Sequence, residues 1–179
     1  MKSIDTVRGE QADIGFFAID PARSDGLRFT DAYLLIEGSY LVAQNSPLHD
    51  NAEVDRVGTR IAVGSGSAYD LFLTRELQHA SIVRVLHAPE VLVALKAGQV
   101  EVAAGVRQLL EEWSRHDATL RLLPGRFMLI QQAMGMPASR GDEAQAALVA
   151  FVEEMKASGM VAESLRRHGI QGAIVAPPA

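Results

Sequence analysis

The sequence predicts an α/β fold built on parallel β-α-β units. Two observations carry that expectation. Short apolar runs alternate with helical stretches of about ten residues, and glycine, proline or a capping residue punctuates each switch. A third sets the scale: 179 residues with 48% hydrophobic content can hold one full core or two small lobes.

Residues 12–17, ADIGFF, read as a short buried strand. Ile19-Asp20-Pro21 ends it in a turn that carries Arg23, and Leu27 and Phe29 lead into another strand-like segment. LLIEGSYLVA, 34–43, is a longer strand. Residues 60–63 form the next and turn through Gly64-Ser65-Gly66 into a helix from about 68 to 78. Ser67 and Asp70 stand in the S-x-x-D arrangement that satisfies the free N–H groups of a helix start. SIVRVL, 81–86, is a strand, and PEVLVALKAG is a helix opened by Pro89 and closed by Gly98.

VEVAA, 100–104, is again a strand, followed by the helix VRQLLEEWSRH and the strands LRLLPG and RFMLIQQAMG. Two helices close the chain, 142–157 and 160–168. Leu148, Phe151, Val152 and Met155 make an apolar stripe on the first, while Gly159 separates the two and Gly169 stops the second. The tail IVAPPA is expected to fray.

Composition removes several function classes. With 17 basic against 22 acidic residues and no basic block, a nucleic-acid footprint is not expected. Aromatic content of 6% offers little for base stacking. The chain has no cysteine, which removes disulfides, Cys-ligated zinc and thiol catalysis. Its five histidines are scattered without an H-x-x-x-H pair, so no metal site and no cofactor are expected. No apolar run reaches the roughly 20 residues of a membrane span. The opening MKSIDTVRGEQADIG lacks the apolar core of a signal peptide.

Three strand-end loops carry functional information, at the positions where open α/β sheets bind ligands. The first holds Arg23, whose guanidinium could grip a carboxylate through two parallel hydrogen bonds; a surface arginine on a turn is the plain alternative. The second is VGSGSAYD, where a small-residue turn and a capped helix start direct backbone N–H groups at one spot. It lacks the lysine and spacing of a P-loop. The third is KAGQVEVAAGVRQ, where Gly105 opens a helix after a strand.

The order of GEQADIGFFAIDPARSDGLRFTDAYLLIEGSYLV, RIAVGSGSAYDLFL, LKAGQVEVAAG and MKASGMVAESLRRHG resembles that of the bacterial family 3 solute-binding proteins, from about residue 9 to 170. These are periplasmic receptors of polar amino-acid ABC importers. The resemblance implies the two-lobed periplasmic-binding-protein type 2 fold, with residues 1–43 and 125–179 as lobe I and 44–124 as lobe II. It also implies a small carboxylate-bearing ligand, an ABC permease as partner, a periplasmic location and no enzymatic activity.

Carried over position by position, the resemblance makes Arg23 the clamp on the ligand's α-carboxylate, joined by Gly66, Ser67 and Ala68 at the helix start. The family's hydroxyl and aspartate that hold the α-ammonium fall at Ala18 and Val106, where neither is present. An ammonium desolvated without those partners would cost several kcal/mol. The expected ligand is therefore a carboxylate without a standard α-ammonium, or one that presents it differently. Arg107 is a second cation near this position, with a helix-surface role as the plainer reading.

The family also carries a further β-α-β-α segment ahead of the point where this chain begins. Lobe I is thus expected to be incomplete, with an apolar face and a strand edge exposed, and a second copy in a homodimer is expected to cover them. If Met1 is the natural start, the resemblance to periplasmic receptors meets a chain without a leader and a cytoplasmic location follows. Two other classes share the fold. One is a ligand-sensing domain, though no helix-turn-helix or membrane span is visible. The other is a dehydratase acting on a cyclic, prephenate-like acid, for which Asp20 and Glu101 are the acidic candidates.

Overall fold

A computed structural model describes residues 2–179. The chain divides into two compact units, the residues up to Ile36 with Ile130–Ala179, and Glu37–Leu129. The first unit opens with α1 (Lys2–Arg8), β1 (Gly15–Ala18) and β2 (Leu27–Phe29), and β3 (Leu34–Ala43) carries the chain into the second. There β4 (Arg60–Gly64), α2 (Ala68–Glu76), β5 (Ser81–Val85), α3 (Ala88–Lys96), β6 (Val102–Val106), α4 (Arg107–His116) and β7 (Leu120–Leu122) follow. The return is β8 (Met128–Pro137), after which α5 (Gly141–Ala157), α6 (Met160–Arg167) and β9 (Ala173–Val175) finish the first unit.

In the second unit β4 lies parallel to β5, Arg60 opposite Ser81 through Gly64 opposite Val85, and parallel to β6 at Ile61–Val102 and Ala62–Ala103. β6 and β7 run antiparallel to β3. Strand residues alternate between two faces, and both faces are buried. Tyr40, Val42, Ile61, Val63 and Val102 pack with Leu73 of α2 and Leu123 on one side. Leu41, Ala62 and Ala103 meet Val91, Ala94 and Leu95 of α3 and Leu110 of α4 on the other. Burial on both sides is why these strands read as unbroken apolar runs. Phe127 stacks on Tyr40 with ring centroids 4.2 Å apart, which closes the first face.

The parallel β-α-β pairing lies in the second unit, and the first unit adds antiparallel pairs. β1 runs antiparallel to β8 from Gly15–Gly135 to Ala18–Gln132, and β2 runs antiparallel to it from Leu27–Pro137 to Phe29–Gly135. Parallel neighbours need a crossover between them. Here only a short turn joins β1 to β2, and both lie against a strand that arrives from the other end of the chain.

Gly15 and Gly135 face each other across this ladder and leave a hollow filled by two rings. Phe17 and Phe29 meet edge to face at 6.3 Å. A methyl group on Gly15 would lie 2.4 Å from Phe17 Cζ. Ile4 and Val7 of α1 complete that cluster with Leu27.

Two elements escaped the sequence reading. α1 shows only Ile4 and Val7 as its apolar side, too little for a periodic signal. The tail, expected to fray, instead forms β9 against the start of β3, Leu34–Val175 to Ile36–Ala173. Ala176 N–H then donates to the Tyr33 carbonyl at 3.1 Å, and Lys156 Nζ donates to the Pro177 carbonyl at 2.8 Å.

Candidate functional site

The first unit presents the Arg23 turn. Asp20 is buried, and its carboxylate accepts the Ala22 N–H at 2.9 Å, capping a single 3-10 turn over Pro21–Arg23. Pro21 sits at the first helical position, where its missing N–H costs nothing. Arg23 N–H closes the turn on the Asp20 carbonyl at 2.9 Å. The side chain folds back, and Arg23 Nη1 donates to the Ala18 carbonyl at 3.1 Å. Burial of the half-exposed guanidinium pulls its pKa down, partly opposed by the charge of Asp20. Ala18 itself is buried and brings only a methyl group.

The second unit presents two helix starts. Ser67 is the N-cap of α2, extended at φ −68° and ψ 163°, and its hydroxyl accepts the Asp70 N–H at 3.1 Å. Asp70 returns the favour to the turn, its Oδ2 accepting the Gly66 N–H at 2.8 Å. Leu71 N–H bonds the Ser67 carbonyl at 3.1 Å. The remaining amides of the first turn, on Ala68 and Tyr69, are the helix donors left for an outside acceptor among the described residues. Val106 ends β6 and caps α4 with no side-chain acceptor. β4 and β6 are parallel neighbours, so Ser67, Ala68 and Val106 share one end of the sheet, the end where their strands finish.

Arg107 is held by its own unit. Its Nη1 donates to the Gly125 carbonyl at 2.9 Å, and its Nε lies 2.9 Å from Glu111 and 3.5 Å from Glu37. The two acidic candidates are likewise occupied. Asp20 caps its turn. Glu101 receives Arg60 Nη2 at 2.7 Å on one oxygen and the Arg60 N–H at 2.7 Å on the other, contacts that hold its carboxyl below the usual range.

Sequence reasoning saw Asp70 only as a cap. Arg84 of β5 bonds the buried Asp70 carboxylate through Nε at 2.9 and 3.2 Å and reaches the Thr74 hydroxyl at 2.7 Å. The polar residue in the otherwise apolar SIVRV was the available signal. Among the described residues no group of three His, Asp or Glu side chains could hold a metal ion, and no helix is long and apolar enough to cross a membrane.

No protein-family model matches the sequence, and no curated protein matches it either. Solved structures do share its fold. The solute receptor for L-cysteine of Neisseria gonorrhoeae is 19% identical, with a TM-score of 0.74 over 93% of this chain and 68% of the receptor. AbpA, an amino acid ABC transporter substrate-binding protein from Streptococcus pneumoniae bound to L-arginine, is 17% identical, with a TM-score of 0.72 over 92% of this chain and 70% of AbpA. The ancestral amino acid-binding protein AncCDT-1, a precursor of cyclohexadienyl dehydratase, is 16% identical, with a TM-score of 0.71 over 92% of this chain and 72% of that protein.

The resemblance drawn from the sequence is therefore borne out at the level of fold. The chain has the fold of the amino-acid ABC transporter substrate-binding proteins and spans only part of them.

Proposed function

We propose that this protein is a solute receptor of the kind that serves ABC importers, and that it binds a small carboxylate-bearing ligand. The observation that carries the reading is the Arg23 guanidinium. It is held half-buried where β1 ends, by a turn built for it, in a chain that shares its fold with amino-acid-binding receptors. The first unit serves as lobe I and the second as lobe II, with β3 and β8 as the crossings. Arg23 is the group assigned to the carboxylate, and the start of α2, whose Ala68 and Tyr69 N–H groups are left as donors, is a second anion-binding group.

Ala18 and Val106 stand at the ammonium positions in this reading. Neither offers an oxygen to an ammonium ion, and a buried ammonium without partners costs several kcal/mol. The ligand is accordingly an organic acid, or an amino-acid relative without an ordinary α-ammonium. The partners are an ABC permease and a second copy of the chain, and the compartment is the periplasm.

The dehydratase alternative needs an acid available to the substrate. Asp20 and Glu101 are committed to their own turn and ion pair, so the binding role is the better supported of the two. Calorimetric titration with a panel of L-amino acids and organic acids tests the proposal. It predicts heat from an organic acid and none from plain L-amino acids; tight binding of an ordinary L-amino acid would overturn the ligand class.

A further inference from the structure

A charged pair lies beneath the start of α2 that the binding role described above does not use. Asp70, the third residue of the helix, is buried and brings its carboxylate into the first turn. Its Oδ2 accepts the Gly66 N–H at 2.8 Å, and Arg84 Nε lies 2.9 Å from Oδ1 and 3.2 Å from Oδ2. The guanidinium is fixed from a second side. Arg84 Nη2 donates to the Thr74 hydroxyl at 2.7 Å, and that hydroxyl donates to the Asp70 carbonyl at 2.7 Å. Ser65 N–H bonds the Val85 carbonyl at 2.9 Å. Two consecutive residues of β5 thus hold two consecutive amides of the Gly64-Ser65-Gly66 turn, Val85 directly and Arg84 through Asp70. Gly66 takes φ +72° in that turn, a left-handed conformation that suits glycine.

A carboxylate at this place, left alone, works against an incoming anion. An anion received by the Ala68 and Tyr69 N–H groups would sit within about one helical pitch, ~5 Å, of the Asp70 charge. At that spacing two like charges repel strongly enough to offset what a helix start offers an anion. Arg84 cancels the charge where it stands. It is the sole charged residue of SIVRVL, 81–86, and its bonds place that charge against the first turn of α2. A pair that served packing alone could be replaced by apolar side chains of the same volume. A pair that sets the potential of the turn cannot.

We propose that Arg84 is a positioning residue for ligand binding: it neutralises Asp70, so that Asp70 holds the Gly66 turn in shape without repelling a carboxylate from the start of α2. Neither side chain touches the ligand. The inference rests on the reading of that helix start as an anion-binding group and concerns the second unit alone. The receptor reading is carried by Arg23 and is tested by Arg23→Ala, so the two fail separately.

The test is a charge series read by amide NMR, with acetate as the probe. Ionic strength is held near ~0.1 M, where a Debye length of about 10 Å leaves the pair unscreened. Acetate is expected to move the Ala68 and Tyr69 amide shifts of the unaltered protein, and the initial slope measures affinity. Arg84→Met leaves Asp70 unpaired and should lower the slope about three- to tenfold. Asp70→Asn keeps an oxygen for the Gly66 N–H but leaves the Arg84 charge, and should raise the slope by a similar factor. The double variant is neutral again and should fall back between the two, while Arg84→Lys should rescue most of the loss. A purely structural pair behaves differently, since both single variants would then weaken binding. Amide dispersion in the same spectra reports whether each variant is folded. If Asp70→Asn does not fold, Arg84→Met against Arg84→Lys decides the point. No acetate response at Ala68 and Tyr69 in the unaltered protein overturns the proposal. So does an unchanged slope in Arg84→Met, no rescue by folded Arg84→Lys, or a lowered slope in folded Asp70→Asn.

Discussion

Arg84 closes on Asp70 with its Nε 2.9 Å from one carboxylate oxygen and 3.2 Å from the other. The partners differ in burial: the Asp70 side chain is 5% exposed and that of Arg84 45%. Asp70 also holds the Gly66 N–H and the Thr74 hydroxyl, so one carboxylate ties β5 to the start of α2. Removing it takes an acceptor from the part-buried Gly66 N–H and the partner from Arg84, whereas removing Arg84 leaves an acid that water can partly reach. Asp70→Ala is expected to destabilise by about 2–3 kcal/mol and Arg84→Ala by about 1 kcal/mol. Urea unfolding midpoints of the two variants check the ranking.

Acid sensitivity follows from Asp117. Its carboxylate is bonded by Lys96 Nζ and by the hydroxyl and N–H of Thr119, and these contacts lower its pKa from 3.8 to about 2. A depressed folded value means that the stabilisation is complete above about pH 4 and lost as pH falls toward 2. Asp117→Asn is expected to flatten stability against pH in that window and leave the slope near neutrality unchanged. Urea midpoints measured from pH 2 to 6 would reveal it.

The glycine hollow under Phe17 predicts a steric effect. A Cβ on Gly15 would lie 2.4 and 2.6 Å from Phe17 ring atoms and 3.0 Å from Val7 Cγ2. Gly15→Ala is expected to cost about 1–3 kcal/mol through displacement of the ring. Gly64→Ala is the control, since its nearest contact is the Tyr69 hydroxyl at 3.5 Å, and it should lower the melting temperature far less.

Val106 invites a gain of function. It caps α4 with no side-chain acceptor, so Val106→Asp is expected to raise stability by roughly 0.5–1 kcal/mol through the cap alone. In the proposed site the same carboxylate would face an α-ammonium. Titration should then detect L-amino acids that the unaltered protein ignores. A stability gain without new amino-acid binding would remove Val106 from the site.

Much of the architecture was legible because apolar pattern and punctuation agreed. Gly64-Ser65-Gly66 with Ser67 and Asp70 marked the β4–α2 junction, and Pro89 and Gly98 bracketed α3. Pairing was less visible. Nothing local in GFFA tells that β1 meets a strand more than a hundred residues later, so the antiparallel pairing of the first unit was not legible. The tail looked loose because three apolar residues before two prolines carry little signal, and its order comes from β3 and Lys156. The Arg23 turn was readable through Asp20-Pro21. The arginine's return to the Ala18 carbonyl was not, because it depends on side-chain direction.

The most direct test of the central claim is calorimetric titration of the organic-acid panel into the unaltered protein and into Arg23→Ala. One acid should bind the unaltered protein, with affinity falling about 10- to 100-fold in the variant, as loss of a charge-assisted bond of about 1.5–3 kcal/mol requires. Equal affinity of the two proteins for that acid would contradict the account.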